Sequence, residues 1–493
     1  MTQLNLPVSL RSLRWFGKRS SPLQVFHQDH AIAEARRSNP ADMPLKIALV
    51  MLYAAIVGGA IATGAVNMSL VDLHQWRVMH YFMVGAGIYG SVMLVVTIVR
   101  VILAMFYKAM PSLSDEQLPF VTVIIPAYNE GPDVAKSIES IARCDYPRHK
   151  LQIITINDGS KDDTWHHMST AAAKYPDNVC AINMEKNGGK RQGLRVGFAL
   201  AAGDVIVTMD SDSVIEHDAL RNLVTPIAAD SRVGGVAGNV KVLNRSQGII
   251  PRMLRASFVI AFDFSRAYQS VIRTVQCTPG AFSAYRRSAV EEVLEEWNNQ
   301  SWMGKPSTIA EDRALSNLIL RQGHEILFQS NAVVWTNIPT TYNGLAKMFM
   351  RWERGNLREN LAWATWCYTP FRKRFWLSAN LDWALNSLEM ILPYFVIATF
   401  LVYGLVNPLF MLRYLAVATV FSALMQIYYV KQERNSDWVY GILYSLFWFT
   451  CMWWVVPYSV LTASNGSWMT RTLPATAGAA APVTAAAPAR IAA

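Results

Sequence analysis

Two aspartates one residue apart, Asp210 and Asp212, close an apolar run that reads VIVTMDSDS over residues 205–213. Side chains alternate along an extended backbone, so both carboxylates face one side. They can share a hard divalent cation, Mg2+ or Mn2+, that keeps positions open for phosphate oxygens. A second acidic pair, Glu311 and Asp312, opens an apolar-periodic segment that runs to Gly323. A carboxylate there can serve as a base, although the helix dipole alone also favours acids at a helix start. Lys190 follows Gly188-Gly189 at another helix start, where backbone amides already attract an anion. Asn157-Asp158-Gly159 has the composition of a turn.

These residues fall at the ends of regular elements. From residue 121 the chain reads as strand VTVII, helix near 133–143, strand LQIITI, helix near 162–174, strand VCAI, helix near 190–201, then strand VIVTM. Short β-branched runs alternating with helix-length segments predict a mostly parallel, doubly wound α/β sheet whose ligands lie beyond the carboxyl ends of its strands. Residues 126–130, 157–160 and 210–212 occupy three such ends and should converge on one crevice.

The segments VIIPAYNE, NDGSKDDT, NGGKRQGL, DSDS, GAFSAYRR, EDR and MRW, in this order, resemble membrane-bound processive family 2 glycosyltransferases over residues 118–360. Hyaluronan synthases, chitin-oligosaccharide synthases and bacterial poly-N-acetylglucosamine or cellulose synthases are the nearest in pattern. The resemblance implies a cytoplasmic GT-A domain inserted between transmembrane helices, a UDP-sugar donor, and a growing β-linked polysaccharide that the same chain exports.

It further implies roles for single residues. Tyr128, Glu130 and Asp158 would hold the uridine, Lys190 and Arg351 the diphosphate, and Asp210 and Asp212 the metal that neutralises departing UDP. Asp312 would be the base that takes a proton from the acceptor hydroxyl, with Glu311 and Arg313 supporting it. Gly280, within residues 278–286, and Trp352 would meet the acceptor sugar. Met348 stands where the family's Q-x-x-R-W motif has glutamine, and Ser467–Arg471 resembles a W-G-T-R segment that belongs near the cytoplasmic site.

With 493 residues, 52% of them hydrophobic and only 16% charged, and 16 Trp, the chain is too apolar for an ordinary soluble enzyme. Stretches 45–66, 79–107, 381–403, 409–430 and 438–461 are each long enough to cross a bilayer, giving five spans, or six crossings or a re-entrant turn within 363–465 if Ser467–Arg471 is to lie on the cytoplasmic side. Arg11, Arg14, Lys18, Arg19, Arg36, Arg37 and Lys46 precede the first, which places the amino terminus and the sheet domain inside. The net charge of +10 is that positive-inside signature plus affinity for headgroups and an anionic donor, so nucleic acid is not needed to explain it.

The expected layout is a basic cytoplasmic segment at 1–44, two transmembrane helices in 45–107, the GT-A domain at 108–343, amphipathic interface helices with the RW motif at 344–380, about three transmembrane helices in 381–461, and a disordered Ala/Pro-rich tail at 462–493. Lys347, Arg351, Arg354 and Arg358 form a basic stripe at helical spacing, the pattern of a helix lying on the cytoplasmic leaflet. Glu389 and Gln426 are channel-lining candidates, and the Trp-rich stretch 447–454 offers sugar-stacking faces. The five cysteines show no C-x-x-C spacing and read as small core residues.

The expected product is thus an extracellular polysaccharide made at the inner (plasma) membrane by a multi-pass enzyme, with a separate regulatory or export subunit also compatible with the chain. The alternative is a non-processive transferase acting on a polyprenyl-phosphate or other lipid acceptor, against which Arg351-Trp352 argue.

Overall fold

The computed structural model describes residues 26–65 and 77–465. Ser467–Arg471, the basic residues Arg11 to Arg19 and the Ala/Pro-rich stretch from 474 lie outside the described residues.

The apolar runs form strands β1 (Val121–Ala127), β2 (Leu151–Asn157), β3 (Val179–Asn183) and β4 (Val205–Met209), followed by β5 (Ser213–Ile215), β6 (Val233–Val242), β7 (Phe282–Arg286), a small hairpin of β8 (Ser301–Trp302) and β9 (Lys305–Pro306), and β10 (Glu325–Thr336). Eight of them make one sheet in the order β3-β2-β1-β4-β7-β6-β10-β5. β1 pairs in parallel with β2 on one side and β4 on the other, so the chain winds outward and then returns across β1. That reversal is a topological switch point, and it opens a crevice at the carboxyl ends of β1 and β4.

Alternate side chains of these strands enter two separate cores. Val123, Ile125 and Val207 pack under Val134, Ile138 and Leu223, while Ile124, Ile154 and Ile206 pack under Leu194, Phe198 and Leu315. Burial on both faces accounts for the near-continuous apolar runs. The mostly parallel sheet expected from the sequence holds for the first four strands. β7 departs from it, running antiparallel between β4 and β6 with Phe282 opposite Met209. Its entry loop therefore arrives at the edge from which Asp210 leaves.

Among the described residues, three helices are long and apolar enough to cross a membrane: Ala31–Ala62, Val84–Phe106 and Pro408–Glu433. The helix Trp376–Val406 covers the stretch expected as the third span. The stretch expected as the fifth is broken: Trp438–Met452 and Val455–Leu461 meet at 48°. Both ends of this bent pair touch the catalytic half of the chain. Asp437 pairs with Arg245 at 2.6 Å, while Thr462 and Ala463 accept from Arg354 and Arg358 of the helix Tyr342–Ala364.

Those contacts correct the reading of the basic stripe for two of its four residues. Arg354 and Arg358 are 2% and 5% exposed, and they cap carbonyl and hydroxyl oxygens at the end of the bent pair instead of facing headgroups. The cysteines also divide: Cys144 is buried as expected, but Cys180 and Cys451 are exposed.

A buried ionic cluster joins three distant parts of the chain. Asp437, fully buried, accepts Lys46 at 2.7 Å, Arg245 at 2.6 Å and Arg255 at 3.3 Å; Asp42 pairs with Arg245 and Arg252, both at 3.0 Å. The start of the first apolar helix, the region after β6 and the link beyond Pro408–Glu433 are thereby fastened together.

Candidate active site

Asp210, at the end of β4, lies 2.5 Å from the Lys190 ammonium, which also lies 3.1 Å from Glu311. Burial alone would lower the Lys190 pKa, but Asp210, Glu311 and Asp312 outweigh it and raise it, so the lysine stays charged. Its position is set by the turn before it. Gly189 has a φ of +84°, and the N–H groups of Gly188 and Gly189 donate to the two Asp158 oxygens at 2.7 and 2.8 Å. Burial pushes the Asp158 carboxyl up to about 6 against those two bonds. Asp158, expected to touch the uridine, thus also ties down the loop that presents Lys190.

Asp312 sits one residue into the helix Glu311–Arg321. Ala310 before it adopts a left-handed conformation, φ +59°, which turns the acidic pair inward. Asp312 Oδ2 accepts the Gly280 N–H at 2.9 Å and Oδ1 the Arg313 N–H at 2.8 Å. Burial and the adjacent Glu311 raise its pKa, whereas Glu311, buried but facing Lys190, is net lowered. The two neighbours are thus pushed apart, with Asp312 the more basic.

Gly280 joins the two halves. A Cβ there would lie 2.7 Å from Lys190 Nζ, 3.5 Å from Asp312 Oδ2 and 3.8 Å from Asp210 Oδ1. A side chain would fill the space between cation, base and acidic pair. Arg313 donates to Asn356 and, at 2.6 Å, to Asn360, which fixes the base helix against Tyr342–Ala364.

Trp352 stands in an aromatic collar: Phe349 at 5.4 Å, Phe262 at 6.0 Å and Phe258 at 6.2 Å between ring centroids, with Trp448 4.8 Å beyond Phe349. Two π-helical turns, Val259–Phe264 and Trp448–Met452, contribute Phe262 and Trp448, and such turns recur at functional sites.

One cavity of about 800 Å³ holds all of these groups. Tyr128, Glu130, Asp158, Asp210 and Asp212 line it from the ends of β1, β2 and β4, together with Gly280, Asp312, Arg351 and Trp352, and with Glu389, Tyr394 and Trp448 from the apolar helices. Every site residue expected from the sequence therefore borders one space. Glu389, a channel candidate, borders it too and pairs with Arg100 at 2.5 Å. Gln426 does not: it is buried against Gly441. Sequence reading missed Glu353, Gln276, Asn386 and Arg266 on the cavity wall, because none lies in a motif with recognisable spacing.

The residues present suit a divalent metal. Asp210 and Asp212 offer hard oxygen donors on one strand end, and no group of three or more His, Cys, Asp and Glu side chains is gathered for a metal among the described residues. A pair of this kind takes its remaining ligands from a diphosphate or water, as Mg2+ and Mn2+ sites do.

Residues 119–355 match the model of the glycosyltransferase like family 2. An N-acetylglucosaminyltransferase of Azorhizobium caulinodans is 31% identical over 242 residues, covering 49% of this chain and 60% of that relative. One from Rhizobium meliloti is 27% identical over 361 residues, covering 72% and 82% of the two chains. Hyaluronan synthase 3 of Xenopus laevis is 25% identical over 393 residues, covering 71% and 68%. The solved mannosyltransferase PcManGT from Pyrobaculum calidifontis, in complex with GDP-Man and Mn2+, aligns with a TM-score of 0.49 at 18% identity over 81% of this chain and 99% of its own.

Proposed function

We propose, from the premise that this chain carries a family 2 glycosyltransferase domain over residues 119–355, that it lengthens a β-linked polysaccharide from a UDP-sugar and passes the product across the membrane in which it sits. The observation that carries this reading is one cavity lined by Asp210, Asp212 and Asp312 of the catalytic half and also by Glu389 and Tyr394 of an apolar helix. A site that served donor and acceptor in solution would have no need of walls from an apolar helix.

At the donor end, Tyr128, Glu130 and Asp158 hold the uridine, while Lys190 and Arg351 meet the diphosphate. Asp210 and Asp212 would hold Mg2+ or Mn2+, which when bound stabilises the charge that builds on departing UDP. Asp312, raised in basicity and anchored by Gly280, takes the proton from the acceptor hydroxyl as that oxygen attacks the anomeric carbon. One in-line displacement inverts an α-linked donor into a β-linked product. Trp352 and its collar give the acceptor ring a flat apolar face, which suits a pyranose.

The curated relatives named as N-acetylglucosaminyltransferases favour UDP-N-acetylglucosamine as a donor, alone or alternating with a second sugar. The start of the first apolar helix is bound through Asp42 to Arg245 and Arg252 of the catalytic half, and through Lys46 to Asp437 beyond Pro408–Glu433. The end of the second is bound to the sheet domain through the Tyr107 hydroxyl, which donates to the Phe328 carbonyl at 3.0 Å. These contacts support two crossings before the domain, with both helix ends on the catalytic side; the basic residues before the first helix favour that side being cytoplasmic. Mass spectrometry of product made by the purified full chain from UDP-N-acetylglucosamine, with and without UDP-glucuronate, tests the reading. Polymer that grows only with divalent metal present and is lost in Asp210→Asn is expected; polymer made in full with EDTA sinks the metal assignment.

A further inference from the structure

One charged side chain at the cavity wall has no place among the donor contacts, the acidic pair or the base: Arg266. It is 6% exposed, and it borders the cavity together with Gln276, Cys277, Asp312 and Trp352. The π-helical turn Val259–Phe264 immediately precedes it, and its guanidinium lies 4.5 Å over the Phe262 ring. Among the described residues it has neither an ion pair nor a hydrogen-bond acceptor, and its Nη1 is enclosed with nothing to receive its protons.

A buried guanidinium without a partner is costly, since its lost hydration is not replaced. Asp312, Cys277 and Asp263 are near enough to act on its charge but do not hydrogen-bond to it, and burial leaves its pKa net lowered. Arginine carries five N–H donors and no acceptor, so the group that completes it must supply oxygen acceptors. Its place points to the acceptor side of the cavity. Phe262 beneath it is part of the Trp352 collar, and the neighbouring Gln269 and Gln276 both donate to Asp382 of Trp376–Val406 at 2.9 Å. The residues read as uridine and metal contacts, Tyr128, Glu130, Asp158, Asp210 and Asp212, instead follow the ends of β1, β2 and β4.

We propose that Arg266 is an acceptor-binding residue whose guanidinium donates hydrogen bonds to the hydroxyl or acetamide carbonyl oxygens of the terminal sugar held against Trp352. The proposal rests on the glycosyl-transfer reading above and adds a residue outside every motif that suggested it. The bare cation is then a feature of the state without sugar, completed when the chain end docks.

The test uses the full chain in detergent, with a β-linked N-acetylglucosamine tetrasaccharide as probe, in wild type, Arg266→Met and Arg266→Lys. Calorimetry reads tetrasaccharide and UDP affinity, a thermal scan reads stability, and UDP release reads turnover. Arg266→Met should weaken the tetrasaccharide about tenfold or more while leaving UDP affinity within about twofold. Its thermal midpoint should hold or rise, because removing an unpaired buried charge relieves the fold. Arg266→Lys should be intermediate, keeping the charge and losing the fork. Unchanged tetrasaccharide affinity in either folded variant overturns the proposal, as does a drop in thermal midpoint with affinity intact, which would make the arginine structural. Should the Met variant fail to fold, the Lys variant decides by the same affinity measurement. Wild-type protein that binds the tetrasaccharide through Arg266 yet transfers no sugar would defeat the glycosyl-transfer reading and leave this one standing.

Discussion

Replacing Asp312 by asparagine separates the base from the scaffold, and its cost can be worked from the two bonds the carboxylate accepts. Gly280 N–H points at Oδ2 from 2.9 Å and Arg313 N–H at Oδ1 from 2.8 Å. An amide in either orientation turns its NH2 toward one of these donors, so one hydrogen bond is lost at a local cost of about 1–3 kcal/mol. Losing the base should lower turnover by about 10²–10⁴, or about 3–5 kcal/mol in the barrier. The chemical term therefore dominates. Lys190 keeps its contacts with Asp210 and Glu311, so UDP affinity should change by no more than about threefold, as for loss of a non-contacting charge. UDP release under saturating donor gives kcat, and calorimetry with UDP gives the affinity. A parallel tenfold loss of UDP affinity would make Asp312 a donor ligand, and a kcat within tenfold of wild type would refute its role as base.

Further outcomes are expected for the aromatic collar, the two raised carboxyl groups and the ionic cluster. Trp352→Ala should shorten or abolish polymer while UDP affinity holds, because only the collar loses a face, and Met348→Gln should be tolerated; product length by gel filtration decides, and unchanged length in Trp352→Ala would reduce that helix to an anchor. In pH profiles, a base is active when ionised, so turnover should fall as pH drops through the raised Asp312 pKa, on a limb above the usual carboxylate value of about 3.9. Donor KM should rise separately below about pH 6, as Asp158 protonates and releases Gly188 and Gly189; a donor KM flat across that range would contradict the role of Asp158. Asp437→Ala strips the shared counter-charge from Lys46, Arg245 and Arg255, which should destabilise the protein by about 3–5 kcal/mol, and an unchanged thermal midpoint would show the cluster to be idle.

What the sequence made legible was local. Strands β1 to β4 announced themselves as buried β-branched runs, and the acidic residues at their ends were found because strand ends are where such sheets bind ligands. The antiparallel insertion of β7 was invisible, since a five-residue strand carries no mark of which distant edge it joins. Helical spacing showed that Arg354 and Arg358 share a face but could not say that the face meets the end of a bent helix pair rather than lipid. Hydropathy counted residues 438–461 as one span for the same reason: it sums apolarity and is blind to a 48° break. That Asp158 also holds two backbone amides was not legible, because those partners lie about thirty residues on. Arg266 had no motif at all; its signal is burial without a partner, which only coordinates reveal.

The cluster around Asp437 bears on how the protein can be made and cut. Its three cations are synthesised long before their anion, Arg245 by 192 residues. A nascent chain that has not yet produced residue 437 holds Lys46, Arg245 and Arg255 with their principal counter-charge missing, so closure of the catalytic half onto the membrane helices is a late event in biosynthesis. The same holds for a fragment: a sheet domain excised before Asp437 for soluble expression would keep Arg245 and Arg255 on a surface built to be covered. Such a fragment would be expected to stick to anionic polymers and lipid for reasons unrelated to its chemistry, and adding back a soluble acidic partner would not restore the geometry that the chain itself supplies.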